Sequence, residues 1–543
     1  MTGLEPADLR GEPGGGADEP SVREALRALW RGAKGRVAVV RPGLRSWREA
    51  RAAERVRRSA ASWERAAGLP VWVWIVLAVA VGLGVRLYYF AIEAGIHYPD
   101  EMFQYLEPAH ARMHGFAWLP WEFDRGVRNW ILPGYYGGLM EICEWLGLRA
   151  WSLHRALALH NALLTLLIIP AGFRLGRAVG RGDVRLGILT AFAAAAFPLF
   201  SYFSPHTLSE VHGLVFTTWA YALWAEQVAF PDAFGRVRRA FAVGVLLGAA
   251  FICRYTLVVF VPLVALDYNF RSRFRELAWF AVGLGVALAA LGVVDAATWG
   301  KPFHSVIEYF RYNLIQDGAS EHGIMPRWFY WREAFVARLG FGRWLLLVPM
   351  LLAFRRHWRM IAAWVIPFAA MTLIKHKEER FLLSIWPFVL VAGLSGTLAL
   401  ADGLRHVRRL RRWRFFGALR PALAAGVMAA VCVLAFVGTR ALPMRWLSGI
   451  FAAQSWIGRQ PDATGVLIDE RQHLNGGYVL LDRNVPELQY NTTIGSHRIY
   501  NYVAAHDEAL IRTLERGTQF RRVVQFEDVV VFRRVDSLVP APP

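Results

Sequence analysis

Charge is the first thing this sequence is short of. Only 19% of its 543 residues are Asp, Glu, Lys or Arg, where an ordinary soluble domain carries about 25%. Hydrophobic residues make up 55% and the mean hydropathy is +0.29. That composition excludes the row of soluble domains that length alone suggests. Cysteine is scarcer still. Cys143, Cys253 and Cys432 cannot build a disulfide framework, and two of them, Cys253 and Cys432, lie at the end of or inside apolar runs, as small buried hydrophobes do. Nucleotide signatures are missing too: there is no Walker loop, and no Gly-rich dinucleotide fingerprint follows a strand. His154 and His160 are not the HExxH pair of a zinc protease, and no thiolate set has zinc spacing. Acid is in deficit, with 42 Asp and Glu against 62 Lys and Arg and a net charge of +20. A nucleic-acid partner would need those cations interleaved with aromatics on one face. Here they cluster in short segments between apolar runs, which excludes that partner.

Apolar length is what the sequence has in abundance. Runs occupy 70–92, 156–173, 186–203, 211–229, 240–252, 255–267, 277–298, 343–354, 360–374, 381–401 and 421–439. The longer ones reach the roughly 20 residues that cross a hydrocarbon core of about 30 Å. The chain therefore reads as an α-helical polytopic membrane protein with about eleven transmembrane helices. The pair around Arg254 and the 343–354 run are short enough to be tilted, broken or re-entrant, which requires packing inside the bundle. The basic connectors Arg174 to Arg185, Arg236 to Arg239, Arg271 to Arg275, Arg355 to Arg359 and Arg405 to Arg420 all fall on one side under this count. The positive-inside rule makes that side cytoplasmic.

Three regions follow. Residues 1–69 form an Arg-rich cytoplasmic extension that opens with a Gly/Pro/acidic stretch, partly disordered, with 22–66 open to a basic amphipathic helix. No cleaved signal peptide is expected. Residues 70–439 form the transmembrane domain, with long external loops at 93–155 and 299–342 and shorter external segments at 204–210 and 375–380. Residues 440–543 form a small extracytoplasmic α/β domain, with β-like runs at Gly465–Asp469, Tyr478–Leu481 and Val523–Phe532 and a helix at Asp507–Arg516. Asn491-Thr492-Thr493 matches a glycosylation acceptor. No repeat of fixed or inverted period is present, unlike many transporters.

The chemistry-bearing residues gather in the external segments. A helix starting after Pro99 puts Asp100 and Glu101 at its N-terminus and Gln104 one turn beyond Asp100, on the same face. From the residues alone this is either an acidic helix cap or a carboxylate site. Lys375-His376-Lys377-Glu378-Glu379-Arg380 packs several cations at an outer membrane boundary, where they either snorkel or grip an anion such as a lipid phosphate. Arg254 lies within an apolar stretch, where a charge is costly; it pairs either with a carboxylate or with a ligand phosphate. His206 and Glu210 begin the 211–229 run, as helix cap or as cavity lining.

These residues resemble the GT22 branch (Alg9/Alg12/PIG-B type) of the membrane-embedded GT-C glycosyltransferases, which are mainly mannosyltransferases. His376-Lys377-Glu378-Glu379-Arg380-Phe381 through Pro387 is similar to the family's HKEERF motif and the proline-containing run after it, with Ser384 in place of the first proline. Pro99-Asp100-Glu101 with Gln104, Glu107, Pro108 and His110 resembles its HPDExxQxxEPAH loop. Weaker echoes are Trp121-Glu122 with Arg128 and Pro133, Arg254-Tyr255-Thr256, and Asn313 with Gly318, His322, Gly323 and Trp328. His97 is separated from Pro99 by Tyr98, and His206-Thr207-Leu208 stands where relatives often have Arg-Thr-Leu. Those departures and the extension suggest a divergent bacterial member of the inner membrane, its active face periplasmic; in a eukaryote that face would be the ER lumen.

The resemblance implies a GT-C fold and transfer of one sugar, typically mannose, from a polyprenyl-phosphate donor to a lipid-linked or glycolipid acceptor, with inversion. It implies Asp100 as base, Glu101 as an orienting carboxylate, and His376, Lys377 and Arg380 on the donor phosphate, with Arg254 a lesser candidate. Glu378 and Glu379 would hold these cations, while His97, Gln104, Glu107, Trp121, Glu122, Arg128 and His206 support the site. No metal or other cofactor is expected. A flippase and a non-catalytic envelope adaptor are the competing readings.

Overall fold

The computed structural model describes residues 54, 56–64, 68–93, 95–230, 235–352, 354–404, 416–470, 474–489 and 499–535. The disordered or amphipathic extension before residue 54, most of the Arg405–Arg420 connector and the Asn491 acceptor lie outside them. Every apolar run folds as helix. Val71–Ile92, Ala150–Val179, Phe274–Trp299, Glu379–Asp402 and Ala422–Thr439 are long and apolar enough to cross a membrane, which makes the chain an integral membrane protein. Val71–Ile92 and Phe274–Trp299 leave most of their residues unburied, as lipid-facing helices do, whereas Glu379–Asp402 is buried along almost its whole length.

The expected breaks are present. Arg254 is extended (φ −147°, ψ 112°) between the helix Arg236–Cys253 and a 3₁₀ turn at Tyr255–Phe260. Trp331–Ala337 meets Gly342–Leu352 at 103°. A third break frees carbonyls at the end of Val184–Ala196, ahead of Pro198. Arg86, buried in Val71–Ile92, satisfies them: its guanidinium donates to Ala194 O (3.3 Å) and Ala195 O (3.1 Å), and to Thr165 Oγ1 (2.6 Å) at a second helix irregularity. A cation without a carboxylate is thereby held by backbone dipoles. Arg236–Cys253 and Phe274–Trp299 cross at glycines, because a Cβ on Gly244 would lie 2.1 Å from Phe280 O and one on Gly283 2.1 Å from Phe241 O.

Four basic connectors meet at one end of the bundle. Arg174 and Arg177 share Glu226 (2.6 and 3.1 Å), Arg271 and Arg359 share Asp267 (3.1 and 2.8 Å), and Arg236 pairs with Glu276. Gln227 ties these groups together, donating to Arg236 O (2.6 Å) and accepting from Arg273 at its own carbonyl (3.1 Å).

The C-terminal region is a small α/β unit. Strands β1 (Val466–Ile468), β2 (Glu487–Gln489), β3 (Tyr502–Ala505), β4 (Phe520–Phe526) and β5 (Val529–Arg534) form one sheet in the order β2-β1-β3-β5-β4. The first three strands are parallel and the last two pairings antiparallel. The expected run 523–532 is the β4–β5 hairpin, and helix Glu508–Arg516 is capped by Asp507, which accepts from Leu510 N (2.9 Å). The expected strand at Tyr478–Leu481 is instead a helix, Gly477–Leu481. It begins at a glycine with φ +56° and points Val479 N at the Glu107 carboxylate (2.7 Å), a tertiary contact that overrides the local β preference.

Candidate active site

The segments placed on the external face meet around a cavity of about 910 Å³. The first loop enters it through the turn after Pro99, where Glu101–Leu106 winds as a π-helix before Glu107–His114 continues as α-helix to Gly115 (φ +80°). Such wide turns recur at functional sites because they re-aim side chains. Asp100 and Gln104 both line the cavity, as their spacing suggested. Gln104 Nε2 donates to Glu122 Oε1 (2.7 Å), and Arg128 completes this wall. Burial raises the Glu122 carboxyl above its usual range, against the opposing pull of Arg128.

Opposite stands the 375–380 segment, and its backbone explains how it divides its labour. Glu378 is extended (φ −135°, ψ 149°), so neighbouring side chains take opposite sides. His376, Glu378 and Arg380 face the cavity. Lys377 and Glu379 do not line it. Lys377 Nζ is buried on the carbonyls of Ile374, Met325 (3.2 Å) and Lys375 (3.4 Å), and Glu379 holds Arg338 (2.8 Å). Burial, with Arg327 nearby, lowers the Lys377 ammonium. Lys375, which lines the cavity, pairs with Asp317 across its rim.

Arg380 is the hub. It is 2% exposed and hydrogen-bonds both Asp100 and Glu378, with Glu210 3.5 Å away. Its guanidinium lies over the Tyr98 ring at 4.1 Å. Glu210 stands behind the wall and also meets Arg254 at 3.2 Å. That contact has ion-pair distance without hydrogen-bond geometry, so among the described residues Arg254 Nη1 is buried without a hydrogen-bond acceptor, as is Arg380 Nη1. Two guanidinium N–H groups beside the cavity are thus left for something else to satisfy. His376 Nε2 is bonded to Glu378 Oε1 (2.9 Å). Although burial pushes the Glu378 carboxyl up, Arg380, the His376 bond and Arg254 outweigh it and hold it well below the usual range.

Beneath Asp100 lies a second network outside the cavity. Glu101 accepts from His97 N (2.7 Å) and Tyr98 N (3.0 Å) and pairs with His206 Nδ1 (2.8 Å), while Thr207 Oγ1 reaches Glu101 O (3.1 Å). Burial opposes both charges, but each partner favours the other's, so Glu101 is lowered and His206 raised. His97, bonded to Tyr202 (2.5 Å), is pushed down to about 3 by burial and the His206 charge. These three residues anchor the loop carrying Asp100. Glu107 lies further off, taking Trp118 N (2.8 Å) and Val479 N (2.7 Å) and thereby clasping the C-terminal domain. Burial lifts it to about 8.

Trp121 forms an aromatic wall with Tyr312 and His322, at centroid distances of 4.9 and 5.0 Å. His322 was legible as a weak motif echo; Tyr312 and Asp317 carried no local signal, since only the folded 299–342 loop brings them here. Among the described residues no group of three or more His, Cys, Asp and Glu is arranged to hold a metal ion.

A bundle of apolar helices with a charged, half-enclosed cavity at one end defines an integral membrane protein with a candidate ligand site at the end of the bundle. The sequence profile of the Alg9-like mannosyltransferase family matches residues 73–448, and the chain belongs to that family. It is 26% identical over 344 residues to GPI mannosyltransferase 3 of Yarrowia lipolytica, covering 61% of this chain and 63% of that protein. It is 28% identical over 324 residues to alpha-1,2-mannosyltransferase ALG9 of Arabidopsis thaliana, covering 55% and 52%. The match thus spans less than two thirds of these relatives. In fold it is similar to ArnT from Cupriavidus metallidurans, crystallised with undecaprenyl phosphate, at a TM-score of 0.54 and 16% identity over 86% of this chain and 99% of that one. The expected GT-C architecture with a small C-terminal sheet is the fold observed.

Proposed function

We propose that this protein is an inverting glycosyltransferase that moves a single mannose from a polyprenyl-phosphate donor to a lipid-linked or glycolipid acceptor on the non-cytoplasmic side of the membrane. The observation that carries the reading is the Asp100–Arg380 pair, facing one cavity together with Arg254 and His376. The acceptor hydroxyl attacks the anomeric carbon and its proton passes to the Asp100 carboxylate. The bond from that carbon to the phosphate oxygen breaks, and its electrons leave with the phosphate. Arg380, Arg254 and His376 offset the charge that develops there. Glu101, with His97 and His206, positions Asp100 instead of touching substrate. A β-linked donor gives an α-linked product, and protein cations serve without a metal. The mannosyltransferase names of the relatives support the choice of sugar.

The test supplies purified protein in nanodiscs with radiolabelled polyprenyl-phosphate mannose and a lipid extract from the source cells, with and without chelator. Label passing into a new glycolipid in both conditions supports the reading and delivers the acceptor. Loss with chelator overturns the metal-free scheme. Movement of the donor across the bilayer without transfer overturns the enzyme reading in favour of a flippase.

A further inference from the structure

The cationic end of the cavity has less positive charge to offer than its sequence suggests. Arg128, Arg254, Lys375 and Arg380 are the cations lining it among the described residues. Against them stand the lining carboxylates Asp100, Glu122, Asp317 and Glu378, with Glu210 behind Arg254 and Arg380. With both histidines neutral the lining charges cancel, and Glu210 behind the wall is offset by Arg125, stacked on the lining Trp121 and Tyr312. A lipid phosphate entering such a site meets no surplus of positive charge, and in a half-enclosed cavity its own charge is left unbalanced and poorly screened.

One lining group can correct it. His376 has its Nε2 on Glu378 (2.9 Å) and its Nδ1 buried, with no hydrogen-bond partner among the described residues. Beside it stand Glu378, to which it is bonded, and the His322 ring from the turn opposite, whose own charged neighbours are Glu321, Asp100 and Glu378; Arg380 and the Lys375–Asp317 pair line the same cavity. The His322 ring centroid is 6.0 Å away. Building on the donor-phosphate reading above, we infer that an anionic phosphate enters this cavity together with a proton, carried on His376. Glu378 accepts the Nε2 proton of the resulting imidazolium, and the Nδ1–H is left to donate to a phosphate oxygen. Arg254 Nη1 and Arg380 Nη1, which also lack hydrogen-bond acceptors among the described residues, supply the neighbouring donors. Arginine alone would leave the site permanently charged; a histidine makes its charge conditional on the ligand.

The experiment measures binding of farnesyl methyl phosphate, a diester whose single negative charge does not titrate near neutrality, to the full-length protein in nanodiscs. Calorimetry between about pH 5.5 and 8.5, in buffers of different ionisation heat, reads affinity and proton uptake together. Affinity is expected to fall as pH rises, approaching about tenfold per unit once the free histidine is neutral, with close to one proton taken up. His376→Gln is expected to flatten that dependence, and His322→Gln to keep it. A flat wild-type profile with no buffer-dependent heat overturns the inference while leaving the phosphate site standing. So does a slope that persists in His376→Gln or vanishes in His322→Gln. Failure of the wild type to bind the diester at any pH overturns the phosphate-site reading itself, and the inference with it.

Discussion

The two polar ends of the helical bundle hold similar residues in different states. At the connector end, Glu226, Asp267 and Glu276 are each matched by arginines that are themselves partly open to water. At the loop end, Asp100, Glu210 and Glu378 converge on one arginine, while among the described residues Arg380 Nη1 and His376 Nδ1 have no hydrogen-bond partner and Arg254 Nη1 has only its ion-pair contact with Glu210. The first arrangement is what a fold needs to end its helices in the right order. The second holds buried polarity unsatisfied, which costs stability and persists where a ligand will complete it. Both ends leave guanidinium nitrogens without hydrogen bonds among the described residues, Arg177 Nε and Arg236 Nε at the connector end; what separates the site from the scaffold is that its unpaired groups belong to side chains lining a cavity.

That contrast can be broken by substitution. Asp100→Asn keeps shape and removes the base, so it should lower the single-turnover transfer rate by roughly 10²–10⁴-fold, with donor binding retained. Arg380→Gln strands three carboxylates around a vacated charge. Both folding and donor binding should suffer, the loss of stability being about 3–5 kcal/mol if the pocket behaves as a buried pair does; thermal unfolding in nanodiscs reads it.

Glu107 sharpens the comparison from outside the cavity. Glu107→Ala leaves two backbone N–H groups without an acceptor, at roughly 1–3 kcal/mol each, and should free the C-terminal domain for limited proteolysis. Burial lifts Glu107, and likewise Glu487, to about 8. The docked state thus favours their protonated forms, so the clasp is fully strong below the ordinary carboxylate range and weakens as pH rises towards 8. Protease sensitivity should rise over that window, and less steeply in Glu107→Gln. Glu226→Gln is expected to have the smallest effect. Arg174 and Arg177 are about a third exposed, so the cost should be nearer 1 kcal/mol than the buried value, with transfer unchanged.

Much of this was legible in sequence because it is local or periodic. The apolar runs, the breaks at Arg254 and near 343, the shared side of the basic connectors and the Asp100–Gln104 face all follow from spacing. What was not legible depends on residues distant in the chain. The alternation that sends His376 and Arg380 to the cavity and Lys377 and Glu379 away from it follows from the extended conformation of Glu378, in a segment that reads as a charge cluster. Arg86 gives no local hint of its role, since its acceptors lie near 165 and 195. Tyr478–Leu481 has a strand's composition and becomes a helix because a carboxylate some 370 residues earlier accepts from its backbone. Glu101 was expected as an orienting carboxylate; one step along a helical turn from Asp100 puts it on the packed side with His206, a contact that its spacing does not show.

In the proposed reaction Asp100, held by Arg380, takes the acceptor proton. The most direct measurement of that role compares single-turnover transfer and donor affinity in wild type, Asp100→Asn and Glu101→Gln. Asp100→Asn is expected to bind donor and to transfer roughly 10²–10⁴-fold more slowly, and Glu101→Gln to transfer at a less reduced rate. Transfer by Asp100→Asn at the wild-type rate would contradict it.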